Sequence, residues 1–164
     1  MLLFLIFLLL LTFLCLWISN HYYLALGFSA KKGYLNVIKF MARIGTNIHT
    51  HNDYALRISA KHGHLSIVKY LIECGANIHA NNNNALQTSA MNGYLSVVKY
   101  LVESGANVHA GDDYALRWSS MNGHLPVVKY LVESGANVHV ANDFALRYSA
   151  KNSDVHEYLK ALKK

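Results

Sequence analysis

The sequence predicts an all-α solenoid of about five helix-turn-helix units, preceded by a hydrophobic helix. Three observations support this prediction. Gly33, Gly63, Gly93 and Gly123 follow one another at a constant spacing, and the residues around them recur with the same period, as in a stacked repeat array. Within each period, apolar residues recur at helical spacing. Residues 1–18, finally, carry no charged side chain.

The chain divides into a leader, residues 1–19, and a repeat array, residues 20–164. The predicted units of the array are 21–50, 51–80, 81–110, 111–140 and a shorter last unit, 141–164. Such units can share one continuous core, although no single unit could bury its own apolar face. We therefore expect one domain with one appendage.

The leader reads MLLFLIFLLLLTFLCLWI over residues 1–18. As a helix it would be about 27 Å long, close to the thickness of a bilayer core. No Lys or Arg precedes the apolar run, and Trp17, Ile18 and Ser19 match a signal-peptidase site poorly. We predict an uncleaved membrane anchor, with a cleaved signal peptide, a soluble capping helix and a start-site artefact as the alternatives.

Basic residues predict the orientation of this anchor. Lys31, Lys32, Lys39 and Arg43 all follow the leader, and none precedes it. Because positive charge stays on the cytosolic side, we expect the repeats in the cytosol, with secretion as the alternative. The two cysteines of the sequence, one of them inside the leader, give no disulfide framework and fit a reducing compartment.

Unit 51–80 predicts two antiparallel helices. Its first helix places small and apolar residues on one stripe, at i, i+3, i+4 and i+7. These residues are Leu56, Ser59, Ala60 and Gly63. A second helix is indicated by apolar residues at helical spacing. They are Leu65, Val68, Leu71 and Ile72. Gly75 then stands where a helix C-terminus favours a left-handed residue, and an Asn/Asp-rich stretch typical of a turn follows.

The repeated motifs resemble those of the ankyrin repeat family. G-H-L-x-V-V-K-Y-L-x-E-x-G-A-N-x-x-A is similar to the second half of an ankyrin unit, and Y-A-L-R-x-S-A stands where that family has T-P-L-H-x-A-A. The resemblance covers about residues 21–164. The common unit has about 33 residues, and the shortened unit here resembles the ankyrin arrays of giant DNA viruses that infect amoebae, where the partner would be a host protein in the host cytoplasm.

The resemblance implies a protein-binding surface on the concave side of the array. The first helix of each unit has a second stripe, beside the packed one, that differs from unit to unit. In the family, positions on this side commonly contact protein ligands. The candidate residues are Arg57, Ile58, Lys61, Thr88, Met91, Arg117, Trp118, Met121, Arg147, Tyr148 and Lys151. Trp118 and Tyr148 would lie side by side with Arg117 and Arg147, and Trp, Tyr and Arg are enriched in binding hot spots.

A packing interpretation competes with this one. Tyr54, Tyr114 and Phe144 would then fill the space between adjacent units, and the remaining face would be an ordinary solvated basic surface. Variation between units does not decide the matter, because recent duplication leaves random differences as well.

Chemical sites receive little support. Histidine recurs once per unit, at 49, 79, 109 and 139, but equivalents two units apart would lie about 20 Å apart, far beyond a shared tetrahedral ion. We interpret them as structural turn residues, and His64 and His124 as capping or hydrogen-bonding residues. Cys74 and His79 form no credible nucleophile and base, since serine replaces the cysteine in other units. We expect no catalytic residue, no cofactor and no metal.

The predicted function is therefore a monomeric protein-interaction module, anchored to a membrane, that binds an unidentified protein. The net charge of +6 is spread over the helices rather than gathered into a run. A nucleic-acid binder acting through a basic face is one alternative. A duplicated repeat fragment without a specific partner is the other.

Overall fold

The computed structural model describes residues 23–149 and 153–162, and all regular secondary structure within them is helical. The leader, which is the predicted membrane anchor, lies outside the described residues, as do Lys151 and the last two residues. Among the described helices, none has the length and apolar character that crossing a bilayer requires. In chain order the helices are α1 (23–32), α2 (Leu35–Arg43), α3 (Thr50–Lys61), α4 (Leu65–Glu73), α5 (Ala80–Met91), α6 (Leu95–Glu103), α7 (Ala110–Met121), α8 (Leu125–Glu133), α9 (Val140–Tyr148) and α10 (Ser153–Ala161).

The helices stack in two parallel rows. From α3 to α9, each odd-numbered or inner helix packs against the next inner helix along the chain. The even-numbered or outer helices, α2 to α10, form a second row in the same order. Each inner helix from α3 onward also packs against the outer helix that follows it. The predicted all-α array of stacked helix pairs is thus confirmed over the described residues.

The core repeats with the units. On the inner helices, Leu56, Leu86 and Leu116 are fully buried, and serine and alanine beside them are equally inaccessible. Because these neighbours are small, adjacent helices can approach closely. The outer helices contribute one apolar set per unit to the same core. These sets are Ile67, Val68 and Leu71; Val97, Val98 and Leu101; and Val127, Val128 and Leu131.

A left-handed turn of three residues opens each inner helix from α3 to α9. Its residues are 51–53, 81–83, 111–113 and 141–143, all with φ between 49° and 64°. These segments read HND, NNN, GDD and AND, and Asn, Asp and Gly tolerate left-handed backbone better than other residues do. The sequence predicted a turn here, and the structure shows that this turn is left-handed. The right-handed part of each inner helix begins only after it.

The outer helices begin and end as predicted. Gly75, Gly105 and Gly135 follow them with φ of 93°, 101° and 96°, the left-handed conformation expected just past a helix C-terminus. Pro126 stands in the first turn of α8, where its missing N–H leaves no hydrogen bond unmade.

Candidate functional site

One buried side chain in each left-handed turn ties its unit to the next. The third residue of the turn, Asp53 in α3, is buried and accepts two hydrogen bonds. Nδ1 of His49 donates at 2.8 Å, and the backbone N–H of Asn77, which belongs to the following turn, donates at 3.1 Å. Asn83 and Asp113 accept the equivalent pairs in their units. The polar groups of successive turns therefore form one connected network.

The recurring histidines serve this network. His49, His79, His109 and His139 each place Nδ1 within 2.8–3.1 Å of the carboxyl or amide oxygen four residues later. Each also donates its backbone N–H, at 2.9 Å, to the asparagine two residues before it. The interpretation as structural turn residues is confirmed. Within the described part of the chain, no group of three His, Cys, Asp or Glu residues is placed to hold a metal ion.

Two of the predicted binding arginines also support their own turns. Arg57 donates from Nε to the carbonyl of Asn52 and from a terminal nitrogen to that of His51, both at 3.0 Å. Arg117 donates to the carbonyl of Gly111 at 2.8 Å. In the unit between them, Gln87 donates to the carbonyl of Asn82 at 2.8 Å. The left-handed turn points these carbonyls away from the helix ladder, so a side chain satisfies them.

Four rings form a continuous aromatic row on the inner helices α7 and α9. Tyr114 and Trp118 have ring centroids 5.4 Å apart, Trp118 and Phe144 6.4 Å, and Phe144 and Tyr148 4.3 Å, the last pair stacked. We call these residues the aromatic row. The sequence predicted that Trp118 and Tyr148 lie side by side. In the structure both of them contact Phe144, which joins them.

Arginine side chains cover the row. Cζ of Arg117 lies 5.8 Å from the ring centroid of Tyr114 and 5.3 Å from that of Phe144. Cζ of Arg147 lies 5.8 Å from the ring centroid of Tyr148. These distances fall within the range of cation–π contacts. The row and its arginines therefore form one surface across two units.

Exposure divides the row into a packed part and an open part. Tyr114 and Phe144 are half-buried, which favours the interpretation that they fill space between units. Trp118 is also half-buried. In contrast, Tyr148 keeps 46% of its surface exposed and Met121 39%, and Arg147 is exposed as well. On this surface, the side chains most open to a partner are therefore Tyr148, Met121 and Arg147.

A smaller aromatic contact occupies the first two units. The ring centroid of Tyr54 lies 5.4 Å from that of Tyr23 and 5.6 Å from Cζ of Arg57. Tyr54 also packs so closely on Gly27 that a Cβ there would come within 2.8 Å of the ring. Beside it, Ile58 is half-buried and Lys61 exposed.

The middle unit lies between these two aromatic contacts and carries smaller or unbranched side chains at the predicted positions. The hydroxyl of Thr88 donates to the carbonyl of Asn84 at 2.8 Å, within its own helix. Met91 is half-buried, and its carbonyl accepts hydrogen bonds from Asn122 and His124 of the next unit. The middle unit thus contributes no aromatic ring to this side of the array, and one predicted site residue, Lys151, lies outside the described residues.

The hairpins between inner and outer helices interlock along the array. Nε2 of His124 donates to the carbonyl of Met91 at 3.0 Å, as Nε2 of His64 does to that of Lys31 at 2.8 Å. The ring of His124 lies over Gly93, which has φ of 78° and where a Cβ would come within 2.6 Å of that ring. The predicted hydrogen-bonding role of these histidines is confirmed. The unit glycine provides both the backbone conformation and the space for the ring.

Positive charge collects at the first two hairpins. Partial burial lowers the pKa of His62, and the nearby Lys31, His64, Lys61 and Lys32 lower it further. Every charged neighbour that affects the pKa of His62 is basic. The surface formed by the first two hairpins therefore favours contacts with anionic groups.

Sequence reasoning missed the buried acceptors and the turn-supporting arginines. The signal for the acceptors was present, because an Asp or Asn follows each recurring histidine by four residues. The signal for the arginines was also present. Gln87 stands at the equivalent position of the middle unit, and glutamine is also a hydrogen-bond donor. Neither could be read without knowing that the turn is left-handed.

Comparison with known families gives two matches. A family model described as Ankyrin repeats (3 copies) matches residues 26–112, which is more than half of the chain, and a model described as Ankyrin repeat matches residues 112–143. Comparison with curated proteins gives no match.

Proposed function

Because the chain belongs to the ankyrin repeat family, whose members generally act as protein–protein interaction scaffolds, we propose that it binds a protein through the exposed end of the aromatic row. The proposed contact residues are Trp118, Met121, Arg147 and Tyr148. The observation that carries the proposal is the continuity of the row across two units, with Tyr148 and Met121 still open to solvent.

The chemistry of the surface suggests the epitope. Contiguous exposed apolar patches often mark interaction sites, and aromatic and arginine side chains dominate binding hot spots. Arg147 adds a positive charge beside Tyr148. An epitope that combines an apolar or aromatic side chain with a carboxylate fits this surface better than a basic one.

The nucleic-acid alternative is weakened by the turn contacts. It relied on a row of basic residues on the inner helices, including Arg57 and Arg117. Both donate hydrogen bonds to carbonyl groups of their own turns, and Gln87 interrupts the row. Nucleic-acid binding would also show a steep fall of affinity with salt, which separates the two functions experimentally.

Membrane anchoring is part of the proposal. The apolar leader supports it by its length and lack of charge, and the basic residues that follow support a cytosolic array. We also propose, on the resemblance of the shortened unit to amoeba-virus arrays, that the partner is a host protein. The family is typically non-enzymatic, and no reaction is proposed.

The binding proposal is tested with the full chain immobilised through its C-terminus. The test variant, Trp118→Thr with Tyr148→Thr, introduces the residue that unit 81–110 carries at Thr88. The matched control, Ile58→Thr, makes the same change at the other end of the array. We expect the captured amount of at least one protein to fall by about tenfold or more in the test variant alone. A decrease of this size corresponds to the loss of a single hot spot.

Other outcomes of this experiment contradict the proposal. Identical captured proteins for the two variants would show that the row is not the binding surface. Capture that disappears after nuclease treatment would favour the nucleic-acid alternative. An absence of specific capture by the unmodified chain would favour a repeat fragment without a partner. Helical circular dichroism of both variants checks that the array stays folded.

A further inference from the structure

The first unit exposes apolar residues that every following unit buries. Val37 in α2 is 42% exposed, whereas the residues at the same position in the next three units, Ile67, Val97 and Val127, are at most 1% exposed. Those three lie under the preceding outer helix, because outer helices pack in sequence. Among the described residues, nothing precedes the first unit.

Two further positions show the same difference. Phe40 is 61% exposed, whereas Tyr70, its equivalent in α4, is half-buried under Nζ of Lys39, 5.5 Å from its ring centroid. Leu24 is 59% exposed, whereas its equivalent, Tyr54, is half-buried. We call the surface formed by Leu24, Val37 and Phe40 the end face. Within residues 23–149 and 153–162, no unit stacks on this surface.

The unit that carries the end face has only positive charge. Lys31, Lys32, Lys39 and Arg43 lie within it, and the first acidic residue of the chain is Asp53. Lys31, Lys32 and Arg43 are exposed at the two ends of the helix pair. Basic residues near an anionic bilayer are attracted to its surface, and no carboxylate of this unit opposes that attraction.

The position of the leader identifies the occupant. Its apolar run ends at residue 18 and α1 includes residue 23, so at most about 17 Å of extended chain separates them. If the leader spans a bilayer, as proposed above, the first unit lies close to the headgroups. The alternative occupant is the leader folded back as a cap. A terminal cap needs a polar outer face, and the leader has only Thr12 as a clearly polar side chain.

We propose that the end face docks onto the interfacial region of the anionic bilayer that the leader enters. Lipid then takes the place of a preceding repeat unit: Leu24, Val37 and Phe40 contact the boundary of the acyl chains, and the surrounding lysines and Arg43 contact anionic headgroups. The array is thereby held against the membrane by its first unit, and its aromatic row, at the other end, faces the cytosol. This inference rests on the proposed membrane anchor.

The test uses the full chain in vesicles of phosphatidylcholine and phosphatidylglycerol. One chain carries a nitroxide label at Phe40→Cys, with Cys15→Ser and Cys74→Ser. The control chain carries only Cys15→Ser and is labelled at the native Cys74, which is exposed on the neighbouring unit. Serine is the natural residue at positions 104 and 134, which match Cys74. Collision rates with oxygen, which concentrates in lipid, and with a water-soluble nickel complex are measured.

We expect the ratio of oxygen to nickel collisions at residue 40 to exceed that at Cys74 by on the order of tenfold, as for a group about 5–10 Å inside the headgroup boundary. Equal ratios at the two sites would overturn the docking. Low collision rates with both reagents at residue 40 would also overturn it, because they would place the leader over the end face as a cap.

Alkaline extraction of the same vesicles separates the two levels of the proposal. If the chain is released, the membrane anchor is wrong and the docking is wrong with it. If the chain resists extraction while the label at residue 40 is in water, only the docking is wrong.

Discussion

Units 81–110 and 111–140 have nearly the same interior and different inner-helix surfaces. Leu101 and Leu131 are both fully buried in the outer helices, and the buried residues of the two inner helices match except that Asp113 and Ser120 stand where Asn83 and Ala90 do. On the inner helices, unit 81–110 presents Asn84, Gln87 and Thr88, and unit 111–140 presents Tyr114, Arg117 and Trp118. The backbone accepts either set. The positions that hold the array together are therefore distinct from those that set its surface chemistry, with the residue at 87 and 117 serving both.

The largest expected effect tests the equality of the two interiors. Leu101→Ala and Leu131→Ala each leave a cavity at a fully buried position, so each should lower the free energy of unfolding by about 2–5 kcal/mol. Urea unfolding followed by circular dichroism measures both. A large loss in one unit and almost none in the other would show that the units do not share one continuous core.

The next prediction tests the double role of residue 117. Arg117→Ala removes the hydrogen bond to the carbonyl of Gly111 and should cost about 1–2 kcal/mol of unfolding free energy. Arg117→Gln should retain most of this stability, because Gln87 makes the equivalent bond one unit earlier. If the glutamine variant loses as much as the alanine variant, the stabilising contribution comes from the arginine over the aromatic rings rather than from the turn.

A stabilising change sharpens the comparison further. Oγ of Ser120 is buried without a hydrogen-bond partner, whereas the equivalent residues, Ala60 and Ala90, have no hydroxyl to satisfy. Ser120→Ala should therefore raise the unfolding free energy by about 1 kcal/mol. Ser119→Ala is the matched control, because its hydroxyl donates to the carbonyl of Leu116 at 3.1 Å. The control should lower stability. Thermal unfolding that shifts both variants in the same direction would contradict the prediction.

The smallest expected effect concerns pH and compares the hairpins. Partial burial and the neighbouring Lys31, His64, Lys61 and Lys32 lower the pKa of His62 in the folded chain. The folded state then binds a proton at His62 less readily than the unfolded state does. Protonation of His62 therefore costs no stability above pH 6.5, the ordinary pKa of histidine. The free energy of unfolding decreases as the pH falls from there through the lowered pKa. Asn92 and Asn122, which occupy the equivalent position, carry no such dependence.

His62→Asn should therefore reduce the drop in melting temperature between about pH 7 and pH 5. The drop is measured on both chains by thermal unfolding at each pH, and the other histidines contribute equally to the two chains. A larger drop in the variant would show that His62 is stabilised, and not destabilised, when it is protonated.

The repeated helix pairs could be predicted from the sequence, because helix periodicity, the glycine after each outer helix and the short residues of the packed stripe are local patterns. The structural role of the recurring histidines could be predicted as well. Which of the candidate residues remain open to a partner could not. It depends on which side chains the left-handed turns engage, and Arg57 gives no local sign that its donors point back to carbonyl groups of residues 51 and 52.

The sequence by itself determined the repeat and the helix pairs, since spacing along one chain decides which residues share a helix face. Tertiary structure decided which residues of that face remain open. Phe144 joins Trp118 to Tyr148 only because adjacent inner helices bring side chains from different units into contact. The exposure of Val37 likewise depends on its neighbour and not on its own unit, because in a stacked array each unit is covered by the one before it.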